Sequence, residues 1–237
     1  MEGRSLFNRL LPYAGALLLL QGCSGENDAA DRTRAGQPAG NSAAARPPAA
    51  DTRLIVALGD SLYAGYGVGP QESFPAQLQK ALAARGIAAD VRNAGVSGDT
   101  TAAGRQRLAF TLDGLPRKPD LVMVNLGGND MLRGIDPAET RTNLTAICEE
   151  LQRRGIPILL TGMLAAPNLG RDYAERFNPI YADLAKRYDA ALYPFFLDGV
   201  VTDRALMQAD RVHPTAQGIG TVVARVTPLV VSTLAKD

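Results

Sequence analysis

The chain has 237 residues, 46% of them hydrophobic and 21% charged, which suits one globular core and excludes a wholly disordered polymer. Its 25 Lys and Arg residues nearly cancel its 24 Asp and Glu residues. No long-range positive field therefore gathers phosphate backbones, and no nucleic-acid partner is expected.

At the N-terminus, Arg4 and Arg9 precede an uncharged apolar run over residues 10–20, the layout of an export signal. A membrane-spanning helix needs about 20 apolar residues. This run stops short of that, at Gln21 and Gly22, directly before Cys23. Leu20-Gln21-Gly22-Cys23 resembles a bacterial lipobox, with Gln21 standing where that pattern prefers a small or β-branched residue. The resemblance implies cleavage before Cys23 and lipidation of its thiol. The protein would then be a lipoprotein on the periplasmic face of a bacterial membrane, the outer membrane by expectation. A simple secretory signal or an uncleaved anchor remains the alternative, and every version has the chain exported.

From Ser24 through Thr52 there is no Val, Ile, Leu, Met, Phe, Tyr or Trp, so the stretch cannot bury enough surface to fold and reads as a tether. The expected organisation is a signal over residues 1–22, a lipidated Cys23 and tether over 23–52, and a folded domain over 53–237. Of the two cysteines, Cys148 lies in an amphipathic stretch and reads as a small core residue. With Cys23 acylated it has no disulfide partner.

The folded part alternates two periodicities. Residues 54–58, 121–126 and 156–161 are short continuous apolar runs, as in strands buried on both faces, and residues 89–93 and 190–193 are weaker candidates. Helical spacing covers residues 74–85, 101–112, 137–154, 173–188 and 215–234. Pro137 behind Asp136 suits a helix start, and Gly86 and Gly155 suit helix ends. Strands alternating with helices predict an α/β domain: a five-stranded parallel sheet with helices on both faces.

In open sheets of this kind, functional groups collect beyond the carboxyl ends of the strands. After the first strand comes Gly59-Asp60-Ser61-Leu62, and after the second Asn93-Ala94-Gly95-Val96-Ser97-Gly98. Gly127-Gly128-Asn129-Asp130 follows the third, and Asp210-Arg211-Val212-His213-Pro214 follows the fifth across a longer loop. Acyl transfer to a serine needs a hydroxyl, a base, a group that orients the base, and donors for an oxyanion. Ser61 supplies the hydroxyl, and His213 is the chain's single imidazole. Asp210, three residues earlier, can hold the Nδ1 proton and leave Nε2 facing Ser61. The backbone N–H groups of Ser61 and Gly95 and the side-chain amide of Asn129 are the candidate oxyanion donors. Asp60 and Asp130 read as acceptors that brace the two catalytic loops.

These blocks resemble those of the SGNH, or GDSL, hydrolases, named for a serine, a glycine, an asparagine and a histidine in separate blocks, here Ser61, Gly95, Asn129 and His213. The final block has the Asp-x-x-His-Pro form over residues 210–214. Ser97-Gly98-Asp99-Thr100 and Leu126-Gly127-Gly128-Asn129-Asp130 are most similar to the exported bacterial arylesterase, acyl-CoA thioesterase and lysophospholipase branch. The resemblance implies a flavodoxin-like, three-layer αβα fold, a small-molecule acyl ester or thioester as substrate, no cofactor and no metal. It also implies a shallow acyl groove, with Met163, Leu164, Pro167 and Asn168 on a substrate-facing loop. A monomer is expected. The glycine-x-serine-x-glycine elbow of α/β-hydrolases is absent. Three other readings stay open from the residues: a metal-dependent phosphoesterase using Asp60, Asp99, Asp130 and Asp210, a non-catalytic flavodoxin-like binding module, and an acyltransferase using the same site.

Overall fold

The computed structural model describes residues 52–236. The expected signal, Cys23 and nearly all of the tether lie outside the described residues. The first strand, β1 (Arg53–Gly59), is apolar along its length and buried from its second residue onward, so it must lie in the middle of a covered sheet. It is flanked by β2 (Ala89–Gly95) and β3 (Leu121–Asn125), and the sheet continues through β4 (Ile158–Thr161) to β5 (Ala191–Tyr193). The order is β2-β1-β3-β4-β5 and every pairing is parallel. Half-exposed β2 and the short β5 are the edges, which explains why their sequence signals are weak.

Among the described residues eight α-helices connect and cover the strands: α1 (Ser61–Ala64), α2 (Phe74–Ala83), α3 (Thr101–Asp113), α4 (Gly128–Leu132), α5 (Pro137–Arg153), α6 (Arg171–Phe177), α7 (Ile180–Tyr188) and α8 (Ala216–Leu234). α2 packs on α8 in one layer, while α3, α5 and α7 pack in series in the other. Right-handed crossovers impose this arrangement: the chain leaves β1 for β2 on one side, then reverses to β3, β4 and β5 on the other. The reversal puts a topological switch point at the carboxyl ends of β1 and β3, where a crevice must open. Beneath it an aromatic cluster fills the core, with Tyr63 stacked on Phe74 at 4.7 Å and Phe196 edge-on to both.

The structure amends the expected elements at three places. The single helix expected over residues 173–188 is two, broken at Asn178 and Pro179. Proline has no N–H to donate and its ring collides with the carbonyl four residues back, so Pro179 becomes the residue preceding α7. The strand expected from Ile156 begins at Ile158, since Pro157 cannot donate to a ladder. The short α1 and α4, one turn each, carry too few residues for a periodic signal, yet they hold the serine and the asparagine.

Candidate active site

Ser61 opens α1 one residue after β1, with the intervening Asp60 as N-cap accepting the Leu62 N–H at 3.0 Å. His213 arrives from the far edge of the sheet, and its Nε2 stands 2.9 Å from Ser61 Oγ across 152 residues of chain. Its Nδ1 is 2.7 Å from Asp210 Oδ2. A carboxylate can only accept, so Nδ1 carries the proton and Nε2 is left with a lone pair facing the hydroxyl. The bond from His213 holds the Asp210 carboxyl at about 2, helped by the backbone N–H groups of His213 and Val212 on Oδ1. Tyr66 lies against the imidazole with ring centroids 4.4 Å apart, a contact that no sequence motif announces.

The oxyanion side differs from expectation at one residue. The Gly95 N–H is donated to Asn93 Oδ1 at 2.9 Å, and Gly95 sits behind α1, where a Cβ would lie 2.3 Å from the Ala64 nitrogen. Gly95 is therefore needed for close packing of β2 against the serine turn, and its N–H is not available to a substrate. Gly98, three residues on, lines the same cavity as Ser61 and Asn129. It has φ +87°, and neither its N–H nor that of Ser61 is donated to another group among the described residues. The signal was present as the next glycine along the chain, in Ser97-Gly98-Asp99-Thr100. Asn129 reaches the cavity from α4, its Nδ2 lying 3.0 Å from the Asp99 carbonyl and 3.3 Å from Asp60 Oδ2.

The four post-strand carboxylates have separate partners. Asp130 accepts from the Thr101 N–H at 2.8 Å and from the hydroxyls of Thr101 and Thr140, which ties α4 to the starts of α3 and α5. Asp99 pairs with Arg107 at 2.6 Å, and the same guanidinium donates to the Gly59 carbonyl, clamping the Gly98 loop to the end of β1. Asp60 and Asp210 serve the asparagine and the histidine. Among the described residues no group of three or more His, Cys, Asp or Glu side chains is placed to hold a metal ion. Cys148 lies fully buried in α5, where burial pushes its thiol up to about 12.

Ser61 and His213 sit in a cavity of about 620 Å³, within the ordinary size range of small-molecule sites. Met163, Leu164 and Pro167 line it as expected, joined by Met131, Leu132 and Phe195. Asn168 does not: it is exposed on the 3₁₀ turn Pro167–Leu169, whose first residue lines the cavity while the second is rotated away from it.

A family model described as GDSL-like lipase/acylhydrolase matches residues 57–219, spanning every residue of this site. The chain belongs to that family. It is 43% identical over 166 residues to the esterase TesA of Pseudomonas aeruginosa, covering 70% of this chain and 81% of that one. To the thioesterase 1/protease 1/lysophospholipase L1 of Escherichia coli K12 it is 40% identical over 169 residues, 71% of this chain and 78% of the relative. Among solved structures it resembles AlinE4, an SGNH-hydrolase family esterase, at 56% identity and a TM-score of 0.66, covering 77% of this chain and 97% of that one. The five-stranded parallel sheet with helices on both faces is thus the fold of the family, and the chain is a GDSL-type ester hydrolase.

Asp60 gives the site a pH signature. Burial pushes its carboxyl up from 3.8 to about 6, against the opposing pull of the Leu62 N–H, His213 and Asn129. Well below pH 3.8 the group is neutral whether folded or not. Between those values the unfolded chain ionises while the folded one keeps its proton, so this group lowers stability as pH rises, with the full penalty present above about 6. Asp60→Asn should therefore gain about 1–3 kcal/mol on the parent protein between pH 4 and pH 7 in denaturant unfolding. A difference that stays constant with pH would contradict the assignment.

Proposed function

We propose that the protein hydrolyses carboxylic esters and thioesters with apolar acyl groups through a covalent acyl-Ser61 intermediate. The observation that carries this reading is the relay from Asp210 through His213 to Ser61, at 2.7 and 2.9 Å, at the floor of a largely apolar cavity. Support also comes from the activities named for its relatives, an esterase and a thioesterase/lysophospholipase.

In the proposed cycle Ser61 Oγ attacks the acyl carbon as its proton passes to His213 Nε2. The resulting oxyanion accepts from the backbone N–H groups of Ser61 and Gly98 and from the Asn129 amide. Asn129 gives up its longer contact, the one to Asp60, to make that bond. The imidazolium, balanced by the Asp210 carboxylate, returns its proton to the departing alkoxide or thiolate. Water, losing a proton to Nε2, then attacks the acyl-enzyme, and the acid leaves as Ser61 Oγ recovers its proton.

Ser61→Ala should lose nearly all turnover of aryl esters and acyl thioesters while keeping the parent circular dichroism spectrum. Substantial hydrolysis by that folded variant would end the proposal. Asn129→Ala should lower kcat by about 10²–10³, and a change confined to KM would remove Asn129 from the oxyanion site.

We further propose that the protein is exported and held at a membrane through lipidated Cys23, a reading supported by the Arg-flanked apolar run ending at Leu20-Gln21-Gly22-Cys23. Cys23→Ser should move the protein from the membrane to the soluble fraction and remove the acyl mass from its N-terminus. Equal membrane retention of both forms would contradict it.

A further inference from the structure

The hairpin that delivers His213 carries a second, cationic recess. After β5 the chain folds back on itself. The Gln208 N–H donates to the His213 carbonyl at 2.8 Å, the Thr215 N–H donates to the Leu206 carbonyl at 2.8 Å, and Met207 bridges Pro214. Gln208 Nε2 fastens this hairpin to the serine loop, donating to the carbonyls of Tyr66 at 2.8 Å and Pro214 at 2.9 Å. Between Arg204 and Arg211, over Met207, Gln208 and Ala209, lies a recess of about 420 Å³. It shares Val201, Thr202 and Arg211 with the active-site cavity, so the two spaces meet along those residues.

Two features mark this recess. The first is its charge. Neither Arg204 nor Arg211 has an ion-pair or hydrogen-bond partner for its guanidinium among the described residues, whereas arginines at 53, 92, 107, 117, 141, 153, 154, 171, 176, 187 and 225 are paired with carboxylates and those at 105 and 133 donate to Asn143 and to the Gly98 carbonyl; Arg85 is unpaired too, but it lines neither this recess nor the active-site cavity. No carboxylate lines the recess. That of Asp210 is engaged by His213, and that of Asp203 accepts the Ala205 N–H. The second is the backbone at Arg211, whose φ of +58° is a left-handed conformation that glycine adopts without strain. Asp210 Oδ1 accepts the N–H groups of Val212 and His213 across this residue, so the turn that orients the catalytic pair enforces the conformation. Here it projects a free guanidinium from the loop between Asp210 and His213.

Planar guanidinium forks match phosphate oxygens, and unpaired arginines beside a cavity are suited to that anion. The apolar wall around Met131, Leu132 and Met163 suits an acyl chain and would reject a phosphate. The charged group must then belong to the other side of the scissile bond. We propose that Arg204 and Arg211 form a phosphate-binding subsite for the leaving group, so that the favoured substrates are acyl esters or thioesters of phosphate-bearing alcohols or thiols. This rests on the hydrolase reading above.

The test compares kcat/KM within two matched pairs: an acyl-coenzyme A against the same acyl chain on uncharged N-acetylcysteamine, and a lysophosphatidylglycerol against the corresponding monoacylglycerol. In the parent protein the phosphate-bearing member of at least one pair should lead. Arg204→Gln and Arg211→Gly should each cut that lead about tenfold, and added salt should erode it. Arg211→Gly suits the left-handed backbone, so it removes the guanidinium without adding strain there, and the ratio within each pair cancels any loss common to both substrates. The pair that responds identifies the source of the phosphate. Parent-like ratios in both variants, with the uncharged members still hydrolysed, would overturn the subsite and leave the hydrolase reading intact. Failure to cleave any of the four substrates would count against the hydrolase reading itself. Inorganic phosphate titrated against its ³¹P linewidth needs no turnover: weaker binding by both variants supports the subsite, and equal binding by all three proteins overturns it.

Discussion

The hydrogen bond between His213 Nε2 and Ser61 Oγ is the contact on which the rest of the site depends, because it joins opposite ends of the folded domain. A lone serine hydroxyl is a poor nucleophile, and a lone imidazole on a loop has no preferred tautomer or direction. Only when the sheet brings the turn after β1 and the hairpin after β5 to the same edge does each group acquire a role. The topology does this by reversing at β1, so that the loops after β1, β2 and β3 meet over one crevice and the last hairpin closes over it. Much of the surrounding hydrogen bonding can be understood as holding that meeting point still. Gln208 ties the hairpin to Tyr66, Arg107 ties α3 to Gly59, and Asp130 ties α4 to Thr101.

The two carboxyl groups closest to the reacting atoms are tuned in opposite directions by their surroundings. Asp210 is part exposed and doubly bonded by backbone N–H groups, so it remains ionised and can balance an imidazolium. Asp60 is almost wholly buried, and its carboxyl is pushed up because water is excluded. The same burial places it beside Asn129, where it orients an amide without competing strongly for it. A site that must hold its donors in place and yet release one to an oxyanion is well served by a 3.3 Å contact of this kind.

The sequence was informative wherever a residue type is scarce or a spacing is chemically constrained. His213 is the single imidazole, and Asp210 three residues before it can reach only one of its nitrogens, so that pair could be assigned without coordinates. The central strands were equally plain, because a strand covered on both faces is apolar at every position. What could not be read were choices made by backbone geometry. Gly95 ends β2 and Gly98 stands three residues on in the loop that follows, and nothing in their identity says which N–H faces the cavity and which is consumed by Asn93. Asn168 likewise follows Pro167 in sequence but is rotated away by a 3₁₀ turn. Tyr66 and Phe195 come to the site from separate loops and belong to no periodic pattern.

A fluorophosphonate ester reports on the central contact directly, since it reacts only with a hydroxyl whose proton has somewhere to go. With the purified protein, intact mass followed by peptide mapping should show one phosphonyl group, located on Ser61. His213→Gln should abolish that labelling while the fold persists. An unlabelled parent protein, or a His213→Gln variant labelled as fast as the parent, would mean that the imidazole does not activate the serine, and the proposed mechanism would be wrong.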